Sequence, residues 1–453
     1  MYALSKNIRF KSYDSKHLIF DPFTGSWAFV SDITKERIRI IKCLLEDFKE
    51  RELDSNAITL LEILYKNGLA SKDGKFSWAS NKLDHSKNKV NTIILKMVGY
   101  CNLACSYCYD FDEERYKLKL SFENAKLAID GVWETAGETL NILFHGGEPM
   151  MAKDVIFKVV EYVNQKKIKE NKSISYSIQT NGTLLNDEWV DFFFKHEFKI
   201  GLSLDGVGST NDINRYYHNG KGSYKDILDC INKYPEVKER VGVLTTVTKT
   251  NVKYLFEIAL ELKKLGFKTW KTILYQDGGG RTVDNEDKFT PNPEDVVIEY
   301  LKLLDGIESG IFDGFNIQSL KTYISNIASN RRVSMCLRNS CGAANDLISI
   351  SVNGEIEACD CITNKSYNLG RITSIDSIKV GLQSDAAKNI RSRNVYNLYQ
   401  CQKCDWRLFC GGTCLAKAGE VSKVDATECM LSINVFNSIF SSLSKSNNLL
   451  KYV

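Results

Sequence analysis

From residue 92 onward, short apolar runs alternate with stretches of helical period. TIILKMV, LNILFHG, ISYSIQT, FKIGLSL, VGVLTTV and WKTILYQ read as strands, with helices such as SFENAKLAIDGVWETA and VKYLFEIALELKKLG between them. This alternation is the signature of parallel βα units. Six such units predict an α/β fold, a partial (β/α)6 or full TIM-like barrel, whose active site lies where loops leave the C-terminal ends of the strands. Upstream the pattern differs. LIFDPFTGSWAFVSD sets two apolar runs around a Pro/Thr/Gly turn and predicts a hairpin. ERIRIIKCLLEDF places Ile38, Ile41 and Leu44 or Leu45 at helical spacing, and SNAITLLEILYKNGLAS opens on a Ser/Asn cap and stops at Gly68. A hairpin beside short helices predicts a winged-helix-like unit over residues 1–80, joined by the polar linker SKDGKFSWASNKLDHSKNK to the barrel at 90–320. From about 330 the periodicity breaks into a Cys-rich, turn-rich region to 430, and 431–453 reads as a final amphipathic helix.

Length and composition agree with this division. The 453 residues are about three domains' worth at roughly 150 residues each. An apolar fraction of 43%, with 22 Phe and 21 Tyr but only 5 Pro, predicts a chain folded throughout. Lys plus Arg (60) barely exceeds Asp plus Glu (56) and the basic residues are scattered, which argues against a nucleic-acid partner. No apolar run reaches the length of about 18 residues that a membrane span needs, and MYALSKNIRFKSYDSKHLIF lacks a secretory signal, so a cytoplasmic protein is expected. In a reducing compartment the 14 Cys then call for an explanation other than disulfides, and metal or cluster ligation leads.

Directly after the first strand, GYCNLACSYCYD spaces Cys101, Cys105 and Cys108 by three and then two residues. Three thiolates from one loop hold three irons of a [4Fe–4S] cube and leave the fourth open for a small ligand. A structural zinc site is the alternative, but it prefers a fourth protein ligand that the neighbouring sequence does not offer. The second group is Cys401-x2-Cys404-x5-Cys410-x3-Cys414 with Cys429 after fourteen residues, preceded by Cys341 and Gly354-x4-Cys359. A zinc ribbon fits CQKC and CGGTC locally but leaves Cys341 and Cys359 unused. Cys43 and Cys230 fall in helical patterns and read as small buried hydrophobes. Cys361, two residues from Cys359, is left without a role.

The first loop, with the aromatic Tyr107 before its last Cys, resembles that of the radical S-adenosylmethionine (SAM) superfamily. Gly146, Gly147, Glu148 and Pro149, after the second strand, resemble that family's segment for the methionyl amino group: glycines admit a close approach and a carboxylate pairs with an ammonium. SIQTNGTLL and GLSLDG offer Gln179, Thr180, Asn181, Ser203 and Asp205 at the barrel mouth. Asn181-Gly182 and Asp205-Gly206 equally form turns. Arg215 resembles the basic residue near SAM's carboxylate, and reads otherwise as a solvated charge.

The C-terminal cysteines resemble the SPASM extension. That resemblance implies two auxiliary [4Fe–4S] clusters, three in all: one on Cys401, Cys404, Cys410 and Cys429, the other on Cys341, Cys359 and Cys414 with Cys336 as fourth ligand or with that iron open to substrate. Asp360 stands where sulfatase-maturating relatives place a proton-accepting Asp. SPASM relatives act mostly on peptides, and residues 1–80 resemble the recognition element of maturases of ribosomally made peptides, which captures a leader by adding it to a sheet edge. The expected activity is therefore hydrogen abstraction from a precursor peptide and installation of a thioether or C–C cross-link, with flavodoxin or ferredoxin as electron donor. The alternatives are formation of formylglycine from Cys or Ser, and a non-enzymatic iron–sulfur or zinc scaffold with a DNA-reading N-terminus, which leaves GGEP and IQTNG unexplained.

Overall fold

The structure, a computed structural model, describes residues 2–14, 16–46, 52–77, 89–170, 172–276, 280–282, 288–329, 332 and 334–453. Most of the expected linker, residues 78–88, lies outside them, and with it the boundary drawn between 80 and 90; residue 330 also lies outside.

The N-terminal unit runs β1 (Tyr2–Leu4), β2 (Arg9–Tyr13), β3 (Lys16–Asp21), β4 (Ser26–Val30), α1 (Asp32–Glu46), α2 (Ser55–Lys66), β5 (Ala70–Lys72) and β6 (Lys75–Phe76). The expected hairpin is β3–β4. Its turn is fixed by Asp21, whose carboxylate accepts from the Phe23 and Thr24 amides at 2.7 and 3.3 Å, with Gly25 at φ +70°. β2 adds to it, giving an antiparallel sheet in the order β2-β3-β4, and β1, β5 and β6 form a second small sheet. The cap of α2 is Asp54, one residue before the Ser/Asn pair, because its carboxylate accepts from Ala57 N at 2.6 Å. Ile38 and Ile41 of α1 are buried as expected; Cys43 is not, since it falls on the outer side of the helix and is exposed.

β3 is buried on both faces, and this unites the N-terminal unit with the rest of the chain. Successive side chains of a strand point to opposite faces. Ile19 packs with Ile38, Leu64 and Leu69, while Leu18 and Phe20 enter the main core. Phe20 stacks on Trp406 at 5.4 Å, and Trp27 meets Phe440 edge-on at 5.2 Å and donates to Ile327 O at 3.0 Å.

The barrel region runs β7 (Thr92–Lys96), α3 (Phe122–Thr135), β8 (Thr139–His145), α4 (Lys153–Glu170), β9 (Ser173–Thr180), α5 (Asp187–Lys195), β10 (Lys199–Ser203), α6 (Ser209–Asp212), α7 (Tyr224–Lys233), β11 (Val241–Val247), α8 (Leu255–Lys264), β12 (Thr269–Leu274), α9 (Pro293–Glu308), β13 (Asn316–Ile317) and α10 (Gln318–Ala328). The Cys-rich region supplies β14 (Leu347–Ile350), β15 (Glu355–Glu357), β16 (Asn368–Arg371), α11 (Ser377–Gln383), α12 (Asp385–Ser392), α13 (Arg407–Cys410), α14 (Leu415–Ala418) and α15 (Ala426–Lys445). All six expected strands are present, parallel and in sequence order. They lie within one sheet ordered β13-β12-β11-β10-β9-β8-β7-β14-β15-β16. β13 and β16 do not pair with each other among the described residues, so the barrel is partial.

Two features depart from the sequence reading. β14 pairs parallel with β7, Leu347 opposite Thr92 through Ile350 opposite Leu95, so the Cys-rich region continues the barrel sheet. Its four residues are buried without alternation and sit among turn formers, which hides the strand from a period-two reading. The last helix begins at Ala426 rather than 431, because Asp425 caps it through Glu428 N at 2.7 Å, and Cys429 therefore rides in its first turn. No described helix is long and apolar enough to cross a membrane.

Candidate functional site

The loop bearing Cys101, Cys105 and Cys108 leaves the C-terminal end of β7. Backbone bonds from Ala104 N to Tyr216 O (2.7 Å) and Ser106 N to Asn214 O (3.0 Å) suture it to the segment after α6. Burial raises all three thiol pKa values, Cys108 to about 12, and the charge of Cys105 would raise Cys101 and Cys108 further. Donors already point at the sulfurs: Leu103 N and Asn181 Nδ2 reach Cys101 Sγ at 3.3 and 3.6 Å, and Arg215 Nη1 reaches Cys105 Sγ at 3.8 Å. Crowded, desolvated thiols met by N–H donors fit a thiolate-bound iron–sulfur cluster, whose positive irons offset the repulsion.

Glu148 follows β8 and is buried. Its carboxylate accepts from Met150 N (3.1 Å), Thr180 Oγ1 (2.7 Å) and Asn181 N (2.8 Å). Even so, burial pushes its pKa from 4.5 up to about 7, since no Lys or Arg among the described residues pairs with it. A buried carboxylate that lacks a cation fits an ammonium ligand. The two glycines before it also have a packing reason. A Cβ on Gly147 would stand 2.1 Å from Tyr100 O and one on Gly146 2.8 Å from Lys96 Cα, so they let the end of β8 abut the Cys101 loop.

Gln179 and Ser203 are neighbours across β9 and β10, with Gln179 Nε2 donating to Ser203 Oγ at 2.8 Å. Asn181 bridges Glu148 to Cys101 as described and donates to Asn102 Oδ1 at 2.9 Å. Asp205 is fully buried beneath the Cys loop. It accepts from Tyr107 Oη and from Thr246 N (2.9 Å) and pairs with Arg215 Nε at 3.0 Å. Arg215 is thus not a solvated charge. Asp205 and Arg215 neutralise one another, the guanidinium lies 5.5 Å from the Tyr107 ring centroid, and its free edge turns to Cys105.

The sequence reading missed Lys96, the last residue of β7. Its side chain is 5% exposed, and Nζ lies 2.8 Å from Asp110 Oδ1, 2.9 Å from Glu357 Oε2 and 3.2 Å from Asp360 O. Burial works to strip its proton, but Asp110 and Glu357 outweigh it and hold the ammonium well above its usual range. Asp360 itself accepts from Tyr109 Oη at 3.2 Å and from Cys359 Sγ at 3.3 Å. Burial opposes its ionisation, yet His145, Lys96 and these bonds hold its carboxyl below the usual carboxylate range. A pattern of apolar runs cannot mark Lys96, which looks like a strand end meeting water.

Cys401, Cys404, Cys410 and Cys429 lie within electrostatic reach of one another, the first and last raised by burial to about 12 and about 11. Cys336, Cys341, Cys359, Cys361 and Cys414 form the second group. Arg281 N donates to Cys108 O at 3.0 Å and its guanidinium stands 4.0 Å from the Phe111 ring centroid. Arg281 lines two openings beside the loop, of about 340 and 300 Å3.

Thiols grouped for iron beside a carboxylate suited to an ammonium, at one end of a parallel α/β sheet, define the class of enzyme that joins an iron–sulfur cluster to SAM. The profile of the Radical SAM superfamily matches residues 95–262. The chain is 31% identical over 288 residues to an uncharacterized protein of Methanocaldococcus jannaschii, covering 64% of this chain and 91% of that one. It is 27% identical over 323 residues to the cysteine-type anaerobic sulfatase-maturating enzyme of Clostridium novyi, covering 69% and 84%. Among solved structures, anSMEcpe with bound AdoMet superposes with a TM-score of 0.69 at 20% identity, covering 80% of this chain and 97% of that one. Streptococcus suis SuiB bound to S-adenosylmethionine does so with a TM-score of 0.57 at 14% identity, covering 94% and 99%. The chain belongs to the radical SAM superfamily, with the [4Fe–4S] cluster and SAM that membership implies, and its Cys-rich C-terminal region is SPASM-like.

Proposed function

We propose that this enzyme modifies a precursor peptide, abstracting a hydrogen and installing a thioether or C–C cross-link, with clusters on Cys101/Cys105/Cys108, on Cys401/Cys404/Cys410/Cys429 and on the group around Cys359. Held by Cys101, Cys105 and Cys108, the first cluster together with SAM would supply radical hydrogen-abstraction chemistry, and the auxiliary clusters would supply an electron acceptor. The chain's own residues do the rest. Glu148 pairs with SAM's ammonium; Gln179, Asn181 and Ser203 line the mouth; the Asp205–Arg215 pair holds the Cys loop. Asp360 takes the substrate proton. An acidic electron carrier such as flavodoxin or ferredoxin supplies the reductant.

The observation that carries this reading is the N-terminal unit. The match to SuiB, a protein also solved with a precursor peptide, extends over 94–95% of this chain, whereas the match to anSMEcpe covers 80%. β4 pairs only with β3 among the described residues, leaving an edge for a leader strand, and Ile33, in the first turn of α1 that follows, is 81% exposed. A second reading, formylglycine formation, draws on Asp360 and on sulfatase-maturating relatives, one of them solved with a Cys-containing peptide. Mass spectrometry of a co-expressed leader-bearing peptide separates them: loss of two hydrogens per cross-link against conversion of a Cys or Ser to an aldehyde.

A further inference from the structure

Cys336, Cys341, Cys359, Cys361 and Cys414 stand within electrostatic reach of one another, five thiols where a four-iron cluster offers at most one thiolate place per iron. Cys359 Sγ, an Asp360 carboxylate oxygen and Cys361 Sγ lie within 4.8 Å of one another. Cys361 also stands within electrostatic reach of Cys336 and of Cys414. The SPASM resemblance implies Cys336 as the fourth ligand beside Cys341, Cys359 and Cys414, or an iron left open to substrate, yet Cys336 is the one exposed member, while Cys341, Cys359, Cys361 and Cys414 are all half-buried. Cys361 is also fixed in place, since the Gln276 side-chain amide donates to its carbonyl.

We propose that Cys361 is an iron ligand of this auxiliary site, taking the place that the resemblance gives to Cys336. The inference rests on the auxiliary cluster proposed above and deepens it. With Cys359 and Cys361 both ligating, Asp360 is clamped between two anchored residues. Its carboxylate accepts from the Cys359 and Cys361 thiols at 3.3 and 3.6 Å; ligation as thiolates removes those two donors and leaves Tyr109 Oη, at 3.2 Å, as the donor that positions it beside the cluster. Ligation also leaves Cys336 a free surface thiol.

A cube bound by three thiolates loses its unprotected iron on mild oxidation and gives the EPR signal of a [3Fe–4S] cluster; one bound by four resists. Because the SAM-binding cluster is itself of the first kind, the test is made in a background with Cys101, Cys105 and Cys108 changed to Ala. There Cys336→Ala should keep about eight irons and show no [3Fe–4S] signal after ferricyanide, and Cys336→Ala with Cys361→Ala should show it. A signal from Cys336→Ala alone, or none from the double variant, overturns the proposal. Alkylation of the reconstituted wild-type holoenzyme supplies a measurement free of variants. Cys336 should be labelled while Cys361 is protected; labelling of Cys361 with protection of Cys336 overturns it. Total wild-type iron near four instead of about twelve would contradict the auxiliary clusters themselves, a different result from a misassigned ligand.

Discussion

Lys96 Nζ lies 2.9 Å from the Glu357 carboxylate, and this pair ties the strand that launches the Cys101 loop to the strand that ends two residues before Cys359. Asp110, two residues past Cys108, accepts from the same ammonium. Lys96→Met would leave the buried Asp110 carboxylate without its cation and Glu357 with Arg115 alone, at 3.4 Å, at a cost of about 3–5 kcal/mol. We expect a matching drop in thermal stability, and fewer products per 5′-deoxyadenosine as Asp360 loses its anchor. Lys96→Arg should restore part of the stability. A Lys96→Met protein with wild-type melting and coupling would show the bridge to be idle.

Asp205 is engaged by Tyr107, Thr246 and Arg215, and we propose that it serves the loop rather than a ligand. Asp205→Ala leaves a buried guanidinium unpaired and should cost about 3–5 kcal/mol, read by denaturant unfolding of the apoprotein. A loss confined to SAM affinity, with stability intact, would reverse this assignment.

Glu148 carries a pH signature. Its folded pKa of about 7 exceeds its ordinary 4.5, so its contribution to stability is full below 4.5 and is lost as pH rises through about 7. An ammonium ligand reverses that cost by favouring the carboxylate. SAM affinity should therefore climb several-fold from about pH 6 to about pH 7 with release of a proton, measured by calorimetry in buffers of different ionisation enthalpy. Glu148→Gln should bind weakly and lose this pH dependence.

Asp360→Asn keeps size and hydrogen bonding but removes basicity. 5′-Deoxyadenosine should still form while modified peptide falls by about a hundredfold. If iron content and SAM cleavage fall together with product, Asp360 is a structural acceptor for the cluster loop; if nothing changes, it has neither role.

The strands and their order were legible because each carries a short apolar or alternating run between helical stretches, and the cysteine spacing pointed to metal or cluster ligation because ligation demands residue type as well as position. What stayed hidden depends on pairings distant in sequence. Lys96 finds Glu357, Arg215 finds Asp205 under the Cys loop, and LISI becomes a barrel strand only because β7 offers it an edge. Cys43 was misread because helical period alone does not say which side of α1 faces inward. The same holds for the N-terminal unit: nothing in LIFDPF reveals that Phe20 stacks on Trp406, so truncating residues 1–80 would uncover the core, and its role must be tested by surface substitution.

That test is central, because leader capture separates a peptide maturase from the other members of the superfamily. The most direct measurement compares wild type and Ile33→Glu on a leader-bearing precursor and on the same peptide without its leader, following mass and 5′-deoxyadenosine together. The account predicts that wild type removes two hydrogens per cross-link from the leader-bearing peptide. It predicts that Ile33→Glu raises KM by about tenfold, the cost of one lost apolar contact, while uncoupled SAM cleavage stays unchanged. Equal processing of leader-bearing and leaderless peptides by both proteins, or an aldehyde product in place of the two-hydrogen loss, would contradict it.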